Sequence, residues 1–169
     1  MAVAGSIYGG CLPSTHRNSS PKMSTQKRPP PLFVSTDPTH VNPLHLRDLY
    51  SLCNHSCHRF PILDPAGRVE PVELDKLRVA VSNSSLVVSV FANPDELYSS
   101  SNMTGVGGNW LRRLVPVTPF NGRLVGFGRA ISDFGLTASI YDVMVMPTLQ
   151  GRGIGRMIVQ RLIRFFDTT

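Results

Sequence analysis

Val143-Met144-Val145-Met146-Pro147-Thr148-Leu149-Gln150-Gly151-Arg152-Gly153-Ile154-Gly155-Arg156 is the stretch on which the reading of this chain turns. An apolar, β-branched run ends at Pro147. Glycines follow at 151, 153 and 155, and then apolar residues recur at helical spacing: Ile154, Met157, Ile158, Leu162, Ile163 and the pair Phe165-Phe166. The pattern predicts a strand, a tight turn and an amphipathic helix to about Phe166. Glycine lets a backbone turn sharply and approach a ligand closely. A helix start offers unpaired N–H groups and the positive end of a dipole. Together they describe an anion site, suited to phosphate. The simpler reading is a ligand-free strand–helix turn.

Two familiar phosphate loops fit badly. The P-loop requires Lys-Ser/Thr after its glycines, and neither follows here. The dinucleotide fingerprint would need a third glycine at 156, which is Arg156, and an acid about twenty residues on, past residue 169.

Working outward, Arg123–Ser132 and Ala138–Met146 read as two strands joined by the turn Asp133-Phe134-Gly135, hence antiparallel neighbours. Asn121-Gly122 reads as a hairpin-like start. Leu32–Ser35 and Leu86–Phe91 are β-branched and apolar, and predict two further strands. Asn42 is a natural N-cap for a helix from Pro43 to about Asn54, and a second helix is expected from about Val72 to Ser82. Asp64–Gly67 is turn chemistry. Residues 92–120 carry loop signals throughout and read as a flexible insertion, with a short helical piece around Trp110.

The strand–turn–helix now gains specificity. Val-x-Pro, then Gln150-x-x-Gly153-x-Gly155, then an amphipathic helix resembles the acetyl-coenzyme A motif of the GNAT superfamily of N-acetyltransferases. The element order from about Phe33 to Phe166 matches that family, most sharply over Leu124–Leu162. The stretches from Leu124 to Asp133 and from Tyr141 to Val145 resemble its plant plastid branch. That branch includes enzymes acting on protein N-termini and lysines, and serotonin-acetylating relatives.

The resemblance implies an α/β (α+β) fold with a mixed, mainly antiparallel sheet flanked by helices, and acetyl-CoA as donor. It implies that Val143, Met144 and Val145 pair with the pantetheine arm like an added strand. An amide near Val145 would polarise the thioester carbonyl. Gly151, Arg152, Gly153, Ile154, Gly155 and Arg156 would hold the pyrophosphate. The acceptor would be an amine: a protein N-terminus, a lysine or a small amine. Asp142 is the candidate general base, acting through water, with Tyr141 nearby. An ordinary salt bridge is the alternative for Asp142. The family continues past the cofactor helix with a fifth strand, a helix that often supplies a tyrosine acid, and further strands. On this count the sequence matches the fold without its C-terminal strands and helix. Two expectations follow: an N-acetyltransferase with reduced turnover in this form, or a non-catalytic product that binds coenzyme A or a partner only.

Composition narrows the remaining classes. The chain has 169 residues, 41% hydrophobic, with a net charge of +6. Arg17, Lys22, Lys27 and Arg28 precede the first acid, Asp37; the other 13 of the 17 bases face 11 acids. The body is therefore near neutral and carries no basic face for nucleic acid. Arg112-Arg113 beside Trp110 do not make one. No apolar run approaches the ~20 residues that span a membrane. The acid-free, Ser/Thr/Pro-rich segment 1–36 reads as a plastid transit peptide or a disordered tail, leaving 37–169 as the N-acetyltransferase domain. Cys11, Cys53 and Cys57 are an odd set, which argues against a disulfide framework. Cys53, His55, Cys57 and His58 suggest zinc, but zinc sites of this spacing use two such clusters and the chain has one, so no metal is expected.

Overall fold

The computed structural model of the chain describes residues 31–56, 61–94, 97 and 115–167. Most of the tail, most of the insertion, Trp110, Arg112, Arg113, Cys57 and His58 lie outside the described residues.

Four strands form one sheet in the order β1 (Leu32–Ser35), β2 (Leu86–Ala92), β3 (Arg123–Ser132), β4 (Ala138–Val145), each antiparallel to its neighbour. Helices α1 (Pro43–Leu52), α2 (Leu74–Ser82) and α3 (Ile154–Asp167) accompany it. Asn42 caps α1 as its sequence predicts, its carboxamide oxygen accepting from the Leu44 amide at 2.9 Å. β1 pairs with β2 from Leu32 onward, so the folded part starts inside the segment counted as tail. Asn121 and Gly122 do not make a two-residue hairpin. They close a turn on Thr118, whose carbonyl accepts from the Gly122 amide at 2.8 Å, and that turn feeds β3.

β2 is buried along its whole length, and it lies between β1 and β3. The core joins Leu46, Leu49 and Tyr50 of α1 to Phe91, Phe127 and Leu162. α3 buries Ile154, Ile158 and Leu162, spaced by four residues and so on one stripe. That stripe lies over Gly126 and Gly128. A Cβ at Gly128 would sit 2.5 Å from Ile158 Cγ2, and one at Gly126 3.1 Å from Ile158 Cδ1. The two glycines cut a trough in β3 that lets α3 settle close to the sheet. Side chains alternate along a strand, so Arg129 projects to the opposite face.

The turn between β3 and β4 hangs on Asp133. Its carboxylate accepts from the amides of Gly135, Leu136 and Thr137, each at 2.9 Å, which holds it well below the usual carboxylate range. This leaves Phe134, not Gly135, in the left-handed region, at φ 56°. Among the described residues no helix is long and apolar enough to cross a membrane.

Candidate functional site

β4 has β3 on one side and, among the described residues, no strand on the other. Which of its backbone groups face that open side follows from the register. Met146 donates to the Val125 carbonyl at 2.8 Å, and Gly126 is opposite Val145 and Phe127 opposite Met144. Hydrogen-bonded and non-hydrogen-bonded pairs alternate in an antiparallel ladder. Met146 and Met144 therefore bond β3, while Val145 and Val143 turn their N–H and C=O outward. Met144 is buried as well, so of the three residues expected to pair with a donor arm, only Val143 and Val145 present backbone to it. The outward Val145 carbonyl already accepts from Gln150 Nε2 at 2.9 Å and from Cys53 Sγ at 3.4 Å. Burial pushes the Cys53 thiol up, so it stands as a neutral donor.

Beyond β4 the chain makes a 3₁₀ turn over Pro147–Leu149 and reaches the glycines. Gly151 and Gly153 have φ of 75° and 82°, and a Cβ at either would meet nothing within 4 Å. Glycine is needed there for conformation rather than for room. Gly155 differs. Its φ is not positive, and a Cβ would make ordinary contact with Val145 Cγ2 at 3.7 Å. The helix ladder begins with Met157 donating to the Gly153 carbonyl at 3.0 Å. The amides of Ile154, Gly155 and Arg156 precede that bond and have no intrahelical acceptor. They point out of the helix start beside the outer edge of β4, with Arg152 and Arg156 adjacent. Unpaired donors, a positive dipole end and a glycine-only backbone fit an anionic ligand. The outward groups of Val143 and Val145 fit the amide-bearing arm attached to it.

Asp142 interrupts β4. The register slips by one between Phe127 and Arg129, and Asp142 takes φ 54°, forming a bulge. Its carboxylate accepts from Arg129 Nε through Oδ2 and from His55 Nε2 through Oδ1 at 3.2 Å. Burial pushes the carboxyl up, but hydrogen bonds from Arg129, His55 and Tyr50, with the Arg129 charge, more than offset this and hold it below the usual range. With both oxygens engaged by donors, Asp142 has the geometry of the salt-bridge alternative and is poorly placed to accept a further proton. Arg129 also lies over the Tyr141 ring, 5.2 Å from its centroid.

His55 comes from the far side of the site. Asn54, just past the end of α1, adopts φ 50°. Its carboxamide donates to the Gly67 carbonyl at 3.1 Å and accepts from the Val69 amide at 2.9 Å. The His55 ring rests against Tyr50, with centroids 5.3 Å apart. Sequence reasoning weighs His55 only as part of a zinc cluster. A usable signal is there: Asn before His at a helix end, since Asn is the non-glycine residue that best tolerates a left-handed cap.

The family model described as "Acetyltransferase (GNAT) family" matches residues 93–168. GCN5-related N-acetyltransferase 3, chloroplastic, of Arabidopsis thaliana is 44% identical, over 90% of this chain and 73% of its own length. An uncharacterized N-acetyltransferase of Pyropia yezoensis is 28% identical over 88% of this chain and 71% of its own. Among solved structures, a probable acetyltransferase from meticillin-resistant Staphylococcus aureus shares the fold, with a TM-score of 0.52 at 16% identity over 81% of this chain and 70% of that one. At the identity and extent of the Arabidopsis match, the chain belongs to the GNAT acetyltransferase family.

Proposed function

We propose that the protein transfers the acetyl group of acetyl-CoA to an amine by direct attack on the thioester. The observation that carries this reading is the continuity of β4 with the turn. The outward backbone of Val143 and Val145 leads directly into Gly151–Arg156 and the start of α3. An extended arm laid along β4 as an added strand would reach the unpaired amides of Ile154, Gly155 and Arg156 with its phosphates. Val145 carries a filled carbonyl, so its amide is left to bond the arm, and the outward amide of Val143, at the arm's far end, is the one left to polarise the thioester oxygen. Gly151 and Gly153 supply the turn, and Arg152 and Arg156 add positive charge beside the phosphates.

The acceptor is an uncharged amine at the moment of attack. Relatives carry names of two acceptor kinds: a histone acetyltransferase of Glycine max and a chloroplastic serotonin N-acetyltransferase of Oryza sativa subsp. japonica. We place the reaction in the plastid, reading residues 1 to about 31 as the transit segment and β1 as the start of the mature fold. The Arabidopsis relative is likewise named chloroplastic.

Calorimetry with acetyl-CoA, joined to a thiol-release assay against a mixed pool of peptide and small amines, tests the proposal. Binding with amine-dependent thiol release is expected. Binding without release would leave a coenzyme A-binding protein, and no binding would remove the reading.

A further inference from the structure

Two non-glycine residues in the left-handed region, Asn54 and Asp142, flank one contact: His55 Nε2 to Asp142 Oδ1 at 3.2 Å. Among the described residues the third such residue, Phe134, sits in the exposed β3–β4 turn. Strained backbone of this kind persists only where its surroundings hold it, and it concentrates at working sites. Both ends here are held. Arg129 fixes the Asp142 carboxylate, and the Gly67–Val69 loop clamps Asn54.

The carboxylate accepts at Nε2, so that nitrogen carries the ring proton and Nδ1 carries the lone pair. The ring is not sealed off: its side chain is 38% exposed. The same short segment touches the open edge of β4, because Cys53 meets the Val145 carbonyl two residues earlier. Asp142 is next to Val143, whose backbone faces outward. The imidazole thus stands over the point where the donor arm would end.

We propose that His55 is the proton acceptor for the incoming amine and that Asp142 is its positioning residue; the proposal rests on the donor site described above. The ammonium form of the acceptor gives one proton to His55 Nδ1. The amine lone pair then forms the C–N bond at the thioester carbon, the C–S bond breaks, and its electron pair leaves on sulfur. The second proton of the amine goes through water to the thiolate, giving the free thiol, and His55 returns its proton to solvent. Asp142 steadies the imidazolium and fixes its tautomer, the role a carboxylate plays behind a catalytic imidazole elsewhere.

Among the described residues, Tyr50 of α1 and Asp142 of β4 meet the ring, and Arg129 of β3 shares the Asp142 carboxylate with it; Cys53, two residues before His55, and Tyr141, under Arg129, are the next titratable groups. The test uses the full chain as wild type, H55Q and D142N across neutral pH. Acetyl-CoA calorimetry, thiol release with the amine pool and ¹⁵N spectra of the His55 ring are read on the same samples. H55Q is expected to bind acetyl-CoA like wild type, to lose about 10²–10⁴-fold in kcat, and to lose the acidic limb of its rate profile. In D142N the carboxylate that fixes the ring proton on Nε2 is gone, so the ¹⁵N spectra should show the proton shared between Nε2 and Nδ1 and kcat should fall while acetyl-CoA binding holds. Turnover by H55Q within about tenfold of wild type, with its limb in place, overturns the proposal. So does a wild-type ring protonated at Nδ1, or a wild type that binds acetyl-CoA yet acetylates no amine. Loss of binding in wild type would instead strike the donor site itself.

Discussion

Gly128 and Ile158 meet backbone to side chain: a Cβ added at residue 128 would lie 2.5 Å from Ile158 Cγ2, at a side chain with no exposed surface. That atom is on the branch point of a β-branched residue and cannot swing aside. Gly128→Ala is therefore expected to destabilise the fold by about 1–3 kcal/mol through overpacking. Ile158→Ala alone opens a cavity and costs about 2–5 kcal/mol. The double variant should lose less than the sum, because each change relieves the other. Urea unfolding of the four proteins gives the coupling; strict additivity would show that α3 does not rest on this trough.

The turn glycines separate conformation from ligand binding. Gly153→Ala forces a Cβ into a left-handed position with open space around it, and is expected to lower stability by about 1–2 kcal/mol. At Gly155 the backbone is not strained and an added Cβ makes only ordinary contact, so the melting temperature of Gly155→Glu should stay closer to wild type than that of Gly153→Ala. The glutamate's carboxylate and bulk would face the phosphates and keep them from the helix-start amides. Acetyl-CoA affinity should then fall by several kcal/mol, the worth of a few charge-assisted hydrogen bonds. Melting curves and calorimetry on both variants check this. Equal affinity of Gly155→Glu and wild type would refute the phosphate site.

The pair Asp142–Arg129 makes stability depend on pH. The folded carboxyl lies below its ordinary 3.8, so its contribution is complete above that value and drains away as pH falls from there through the lower folded value. Asp142→Asn should flatten the wild-type loss of stability below about pH 4. Arg129→Met strands a largely buried carboxylate and should cost about 1–3 kcal/mol near neutrality. Chemical denaturation of the three proteins from neutral to acid pH reads both effects, and parallel wild-type and Asp142→Asn curves would show that the pair contributes nothing.

Residues 1–31 fused to a fluorescent protein are expected to direct it into plastids, and the processed product should retain β1. Diffuse cytosolic signal in plant cells, or cleavage beyond Leu32, contradicts the assignment.

Much of the fold is legible in the chain itself, and for local reasons. Asn42-Pro43 marks the start of α1, Asp133-Phe134-Gly135 marks a turn, and the Ile154–Ile158–Leu162 stripe marks a helix with one buried face. Gln150, Gly153 and Gly155 point to the family without any help from tertiary structure. What stays hidden depends on partners distant in sequence. The bulge at Asp142 exists because Arg129, His55 and Tyr50 converge on it, and no period-two pattern announces a residue inserted into a strand. Met144 faces β3 because the bulge and the Val125–Met146 bond set the register. His55 is invisible as a site residue in the sequence because its partner is 87 positions away.

That separation divides the site in time. β3, β4 and α3 form one uninterrupted segment, Arg123–Asp167, closed by a tight turn and by short-range packing. Local structure forms quickly, whereas joining segments far apart in sequence carries a larger loop-closure entropy. The segment holding the phosphate turn can consequently organise first, and the arrival of His55 waits on the docking of α1. On the roles proposed above, a folding chain would then hold its phosphate turn before its proton acceptor is in place. In pulse-labelled hydrogen exchange, amides of β3, β4 and α3 would gain protection ahead of those at the end of α1.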